Sequence, residues 1–356
     1  MIRNGARPAD CQVYSQTTPL ARNAPAAERP RLCRAVVIFR SRRGMMICIS
    51  NACHQALYCP QPAGERSMTE GNTIGVVGLG NMGLPIALNL VKGGYPVAGL
   101  EIDQGRWETA EGLTYVADAA AALARTDTLL LSLPDGKVVQ AFLAGLLELS
   151  LPDAVTVIDT STIGPKTSQE ISRQLAGTPL RYLDSPVSGG VHGAQAGTLA
   201  VMCAGSRALY DRVHPALATF SANQFFIGPE PGQAQVLKIL NNFLSATALA
   251  ASSEALLFGQ AHGLELTQMC DVINVSTGMN TATLDKIPRQ VASGEYNTGF
   301  SNSLMYKDIS LYLERCQELG TPGRISQTVV DLWGAFTTLS PQSDATNIFR
   351  YVDQTL

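Results

Sequence analysis

Thr73-Ile-Gly-Val-Val77-Gly78-Leu-Gly80-Asn81-Met82-Gly83-Leu-Pro-Ile86-Ala87 is the stretch on which the fold of this 356-residue chain turns. Residues 73–77 are a short apolar, β-branched run of the kind that fills a parallel strand buried on both faces. Ile86, Ala87, Leu90 and Val91 then recur at helical spacing, and Gly93-Gly94 stops the helix. Between strand and helix lies Gly-x-Gly-x-x-Gly. Alone that pattern is weak; in this context each glycine has a mechanical task. Gly78 permits the tight turn, Gly80 lets backbone approach a pyrophosphate, and Gly83 lets helix and strand pack closely. The helix N-terminus, with Asn81 and Met82 in its approach, offers free N–H groups and partial positive charge to phosphates. The next strand, 97–100, ends at Glu101, twenty-three residues after Gly78. An acid there hydrogen-bonds the adenosine ribose of NAD and repels the 2′-phosphate of NADP. No Asn-Arg pair stands at 101–102, although Arg106 is close by, so NAD is expected ahead of NADP.

Further along, 128–133 and 155–158 read as strands, and helical segments are expected around 117–125, 137–148 and 166–176. This alternation predicts an α/β domain built on a doubly wound parallel sheet. Ligands of such sheets bind at the carboxyl ends of strands, where Leu133, Pro134, Ser161 and Thr162 fall. Asp184-Ser-Pro-Val-Ser188-Gly189-Gly190 follows another strand, 181–183. Its two glycines suit either a backbone nest for an anion or an ordinary turn. Gly232-Gln-Ala-Gln-Val-Leu-Lys238-Ile-Leu-Asn241-Asn242 opens a long helix expected to reach about residue 261. Lys238 and Asn242 are four apart and share one helix face. Their neighbours Val236, Leu237, Ile239, Leu240, Phe243 and Leu244 are apolar. A lysine in such company points to burial and a lowered pKa, which suits proton transfer. Asn241, Asn242, Ser252, Ser253 and Glu254 interrupt the apolar run, so it is not read as a membrane span.

Taken together and in this order, Gly78-Leu-Gly-Asn-Met-Gly83, Asp184-Ser-Pro-Val-Ser-Gly-Gly190, Lys238-Ile-Leu-Asn-Asn242 and Lys307-Asp308 resemble the β-hydroxyacid dehydrogenases. That group, related to 6-phosphogluconate dehydrogenase, includes 3-hydroxyisobutyrate dehydrogenase and tartronate semialdehyde reductase. The resemblance covers about residues 72–350. It implies an N-terminal Rossmann domain, a long interdomain helix and an all-α C-terminal domain, here 68–231 and 232–356. It also implies that Ser188, Gly189 and Gly190 hold the substrate carboxylate, with Lys238 as general acid/base and Asn242 positioning the substrate. Leu133, Pro134, Ser161 and Thr162 would line the nicotinamide side, with Lys307 near the cofactor. The family often has glycine where this chain has Ala234, which puts the loop before the helix in question. Two other readings stand beside a 3-hydroxyisobutyrate-like dehydrogenase. One is a tartronate or succinic semialdehyde reductase on the same fold; the other is a silent NAD-binding scaffold. The residues that read the rest of the substrate are expected in the C-terminal domain, Asn280 among them. His192 is a second acid/base candidate, but Lys238 already fills that role.

Charged residues are 15% and apolar residues 46% of the chain, as in a folded globular protein. The net charge of −3 gives no reason to expect nucleic acid or an anionic membrane as partner. It conceals an asymmetry: residues 1–67 hold ten Arg, no Lys and three acids, a charge of +7, leaving −10 on the remaining 289. Five of the eight cysteines also precede Met68. The three others are read as inert thiols of a reducing compartment. The spacing of Cys48, Cys53, His54 and Cys59 is loose for zinc, so no metal is expected. Residues 1–67 read as an Arg-rich leader or as sequence upstream of a start at Met68. The second reading predicts that they are disordered and dispensable. A cytoplasmic homodimer or homotetramer acting on a small carboxylate is the expected whole.

Overall fold

The computed structural model describes residues 35–41, 44–50, 68–69, 71–103, 105 and 110–354. Residues 1–63 and 64–356 form two compact units. In the first, the two apolar runs within 1–67 pair as antiparallel strands, β1 (Ala35–Ser41) and β2 (Gly44–Ser50), with Ala35 opposite Ser50. The rest of the 1–67 expectation lies outside the described residues.

The second unit begins with alternating strands and helices. Its strands are β3 (Ile74–Val77), β4 (Val97–Leu100), β5 (Leu113–Tyr115), β6 (Thr128–Leu131), β7 (Val155–Asp159) and β8 (Leu180–Asp184). β9 (Val187–Ser188), β10 (Leu199–Ala204) and β11 (Ser221–Gly228) follow. Between them run α1 (Gly83–Lys92), α2 (Ala119–Leu123), α3 (Gly136–Leu147), α4 (Pro165–Gln174), α5 (Gly190–Ala196) and α6 (Arg207–Phe220). The sheet order is β11-β10-β8-β7-β6-β3-β4-β5, with β9 paired to β10. From β8 to β5 every pairing is parallel, while β10 meets β8 antiparallel and carries β11 parallel to itself.

Side-chain alternation along the central strands divides the core in two. Ile74, Val76, Leu130 and Ile158 join the cluster that contains Leu90 and Phe220. Val77, Leu129, Leu131 and Val157 face the other way, against Val139, Leu143 and Ile171. Both faces are therefore covered, as a parallel sheet requires. Asp118 and Asp135 start α2 and α3 by accepting N–H groups of the first turn.

The C-terminal part is helical: α7 (Gln233–Ala261), α8 (Leu266–Asn274), α9 (Asn302–Leu319), α10 (Arg324–Leu339) and α11 (Ile348–Gln354). A π-helical segment, Ala282–Val291, carries Pro288 within it. These helices close around fully buried Trp333. At 29 residues α7 is roughly 44 Å long. Its first turns pack Ala234 and Leu237 against Met202 and Ala204 of the sheet. Ala246, Leu249 and Leu256 belong to the helical core. Lys238 and Asn242 thus sit where α7 passes from one core to the other. Among the described residues no helix is long and apolar enough to cross a membrane.

Candidate active site

The glycine loop behaves as its spacing predicts. Gly78 has φ +86°, and a Cβ there would lie 2.4 Å from the Ser132 carbonyl oxygen. A Cβ on Gly83 would overlap the Gly78 carbonyl, so α1 is pressed against the turn. Met82 opens α1 without a side-chain cap, which leaves the helix entrance to a ligand. Glu101, just past β4, is hooked onto this loop: its carboxylate accepts from Leu79 N at 2.8 Å and from Asp103 N at 3.0 Å. Arg106 lies outside the described residues.

Across the sheet, the carboxyl ends of β6 and β7 are tied together. The Ser161 hydroxyl accepts from Leu133 N at 2.9 Å, so Ser161, itself buried, sets the Leu133-Pro134 turn. Gln235, fully buried in the first turn of α7, locks this edge to the helix. Its Oε1 accepts from Ile163 N (3.0 Å) and Gly164 N (3.1 Å). Its Nε2 donates to Ser161 O (3.0 Å) and Asp184 Oδ1 (2.7 Å). Asp184 Oδ2 in turn accepts from Gly232 N at 2.8 Å. Burial raises the Asp184 carboxyl to about 7 and that of Asp159 to about 6, against the hydrogen bonds that favour their ionised forms. Ala234, the departure noted in the sequence, is fully buried inside α7 against Met202 and Ala204. A methyl group fills that space, and α7 starts at Gln233 with Gly232 before it.

The next turn of α7 carries the lysine. Lys238 is 9% exposed, and its Nζ donates to Asn242 Oδ1 at 3.1 Å. Asn242 Nδ2 donates to buried Asp308 Oδ2 at 2.6 Å. Lys307 lies 3.0 Å from Asp308 Oδ1 and donates to Thr162 O at 2.6 Å. One continuous polar chain therefore runs from Thr162, in the loop after β7, through α9 to Lys238. Asn241 extends it, donating to Ser188 Oγ (3.4 Å) and Asn242 Oδ1 (3.3 Å). Gly189, at φ +130°, then turns the backbone away from Ser188. Desolvation lowers the Lys238 pKa most; Asp308 opposes this, and Lys307 and Lys286 add to it. Lys307 and Lys286 thus add positive charge around Lys238 that Asp308 offsets in part, and such a setting favours an anionic ligand.

Ser188, Lys238, Asn242, Thr162 and Lys307 are thus joined by one set of contacts, and Gly189 and Gly190 follow Ser188 in the exposed turn. His192 is exposed on α5 and takes no part. Asn280 braces the turn before the π-helical segment and ties it to α7. Its Oδ1 accepts from Ala282 N and Thr283 N, and its Nδ2 donates to Ser252 Oγ and Gly278 O. Gln235 and Asp308 stood in quoted motifs without a structural role assigned to them. Their partners lie 51 to 74 residues away in sequence, beyond the reach of any local period.

Residues 73–228 match the NAD-binding domain of 6-phosphogluconate dehydrogenase. Residues 232–352 match the NAD-binding domain of NADP-dependent 3-hydroxyisobutyrate dehydrogenase. The chain is 31% identical to 2-(hydroxymethyl)glutarate dehydrogenase of Eubacterium barkeri over 260 residues, covering 72% of this chain and 86% of that one. The chain belongs to the β-hydroxyacid dehydrogenase family. Another member, L-threonate dehydrogenase of Escherichia coli K12, is 31% identical over 73% of this chain and 87% of its own. The solved structure of Mycobacterium tuberculosis 3-hydroxyisobutyrate dehydrogenase with L-serine superposes with a TM-score of 0.72 at 29% identity. It covers 79% of this chain and 99% of that one. As a β-hydroxyacid dehydrogenase the protein is an oxidoreductase acting on CH–OH, with a Rossmann domain for a nicotinamide dinucleotide. The cradle fits that cofactor: the Gly78 turn admits no side chain and the entrance to α1 is uncapped.

Proposed function

We infer that the protein interconverts a small β-hydroxy acid and its carbonyl product with NAD, using Lys238 as general acid/base. The observation that carries this reading is the lysine itself. It is a buried amine with lowered proton affinity, held by Asn242 at the carboxyl edge of a dinucleotide-binding sheet. When bound, the nicotinamide supplies the hydride chemistry. The residues supply position and proton transfer. The Ser188-Gly189-Gly190 loop takes the substrate carboxylate, which places the β-hydroxyl against Lys238. Neutral Lys238 accepts the hydroxyl proton during oxidation, and its ammonium returns a proton during reduction. Asn242 fixes the direction of the amine, and Asp308 fixes Asn242. Lys307 holds the Thr162 backbone against the same chain. 2-(Hydroxymethyl)glutarate, L-threonate and 3-hydroxyisobutyrate, named by the relatives, all carry a hydroxyl β to a carboxylate, which supports the substrate class. Glu101 supports NAD over NADP, since a carboxylate held on the glycine loop just past β4 would repel a 2′-phosphate.

The test is NADH or NADPH formation with 3-hydroxyisobutyrate, glycerate, 4-hydroxybutyrate, threonate, 3-hydroxypropionate and 2-(hydroxymethyl)glutarate. Strong preference for one β-hydroxy acid with NAD is expected. Dinucleotide binding without turnover of any acid would overturn the reading.

A further inference from the structure

The face of α7 that carries Lys238 and Asn242 continues to Ser245, one turn on. Lys286, on the π-helical segment, donates to Ser245 Oγ at 2.6 Å. A surface lysine would direct its amine to water; this one turns inward onto a helix hydroxyl. The acids nearest to it are committed elsewhere. Asp285 pairs with Arg289 at 3.1 Å, and Asp344 accepts from Thr298, Gly299 and Thr346. Among the described residues Lys286 makes no ion pair. Its element is braced: Asn280 Oδ1 accepts from Ala282 N and Thr283 N, and Thr283 Oγ1 donates to Asn274 Oδ1. π-helical turns are often found at functional sites, where they redirect a side chain. Burial lowers the Lys286 pKa, and its charge is felt at Lys238. A fixed, inward cation without an acid partner, next to the reacting centre, is an arrangement that an anion completes.

We propose that Lys286 and Ser245 form a second anion subsite, one helix turn beyond the Lys238–Asn242 pair, that takes the far carboxylate of a dicarboxylic β-hydroxy acid. This rests on the reading of Lys238 and the Ser188–Gly190 loop given above. Side chains one turn apart are roughly 5–6 Å apart at Cβ. The short chain of a glutarate spans such a gap, whereas a branched monoacid ends short of it. Lys286 would then act as a specificity determinant, donating to the distal carboxylate while the near carboxylate stays on the glycine loop.

Calorimetric titration of the full chain saturated with NADH, using unreactive 2-methylglutarate and isobutyrate, tests this without turnover. The wild type is expected to bind 2-methylglutarate about tenfold or more tighter than isobutyrate, the yield of one charge-assisted contact. Lys286→Met should abolish that preference with isobutyrate binding unchanged, and Lys286→Gln, read beside it, should do the same. Equal affinity of the wild type for the two acids would overturn the subsite. So would a preference that survives both variants, or an equal loss for both acids. Oxidation of a β-hydroxy acid is followed separately. A protein that selects the diacid but oxidises nothing keeps the subsite and loses the dehydrogenase reading; the reverse pattern does the opposite.

Discussion

Burial holds the Lys238 pKa below its ordinary 10.5, so the folded state releases a proton that the unfolded state keeps until higher pH. Stability therefore rises with pH between the lowered value and 10.5, and below that window the buried ammonium is a constant cost. Lys238→Met removes the proton carrier and the cost together. Turnover is expected to fall by about 10²–10⁴, the usual worth of a general acid/base. NADH binding should persist, and the melting temperature at pH 7 should be no lower than that of the wild type. The stability difference should narrow towards pH 10, which thermal melts across pH would follow. Glu101 supplies a second expectation at this scale. Glu101→Gln keeps an acceptor for Leu79 N but loses the charge. The ratio of kcat/KM for NAD over NADP is expected to fall by about tenfold, one charge contact's worth. An unchanged ratio would place cofactor choice elsewhere.

The first turn of α7 shows how an element can be set by contacts far away in sequence. Gln235→Leu would leave Ile163 N, Gly164 N, Ser161 O and Asp184 Oδ1 without their buried partner. A loss of about 2–4 kcal/mol is expected in urea unfolding, given the cost of stranded polar groups. The carboxyls behind this turn add a pH signature of the opposite sign to that of lysine. Asp159 and Asp184, raised to about 6 and about 7, hold protons in the fold that the unfolded chain releases near its ordinary value of 3.8. Their contribution to stability therefore falls as pH rises from about 4 to about 7. Asn at 159 can keep an acceptor for Ser161 N and donate to the Tyr182 hydroxyl. Asp159→Asn should accordingly flatten the stability change between pH 5 and 7. Equal slopes in wild type and variant would contradict the assignment. What could be read from the sequence follows the same line. β3, α1 and α7 carry their own period and their own glycines. β5, with three residues, and β11, an edge strand whose burial does not alternate, carry too little pattern to be seen. The π-helical segment hides behind Pro288, which reads as a break. Lys286 finds Ser245 across 41 residues, a relation that only tertiary structure makes.

On the scale of the molecule, one helix serves two cores, and the reacting residues lie at the changeover. Met68 is buried in the Rossmann core and its N–H donates to Arg212 O at 3.0 Å. A chain beginning at Met68 is therefore expected to keep its melting temperature and turnover, whereas one beginning at Gly71 should lose stability. Three of the four sequence motifs are joined directly, the 184–190 loop and Lys307-Asp308 each bonding to the start of α7, while the Gly78–Gly83 loop packs against the end of β6. The lysine's place in the helix was legible as well. Its burial was legible too, from its apolar neighbours, but the Lys286 neighbour and the Asp308 anchor through Asn242 were not, since each depends on how α7, α9 and the π-helical segment pack. The most direct measurement is the initial rate of NADH formation from the preferred β-hydroxy acid by wild type and Lys238→Met, at matched NADH affinity. Steady turnover is expected from the wild type and a fall of about two to four orders of magnitude in the variant. A Met variant that turns over at nearly the wild-type rate would contradict the role of Lys238.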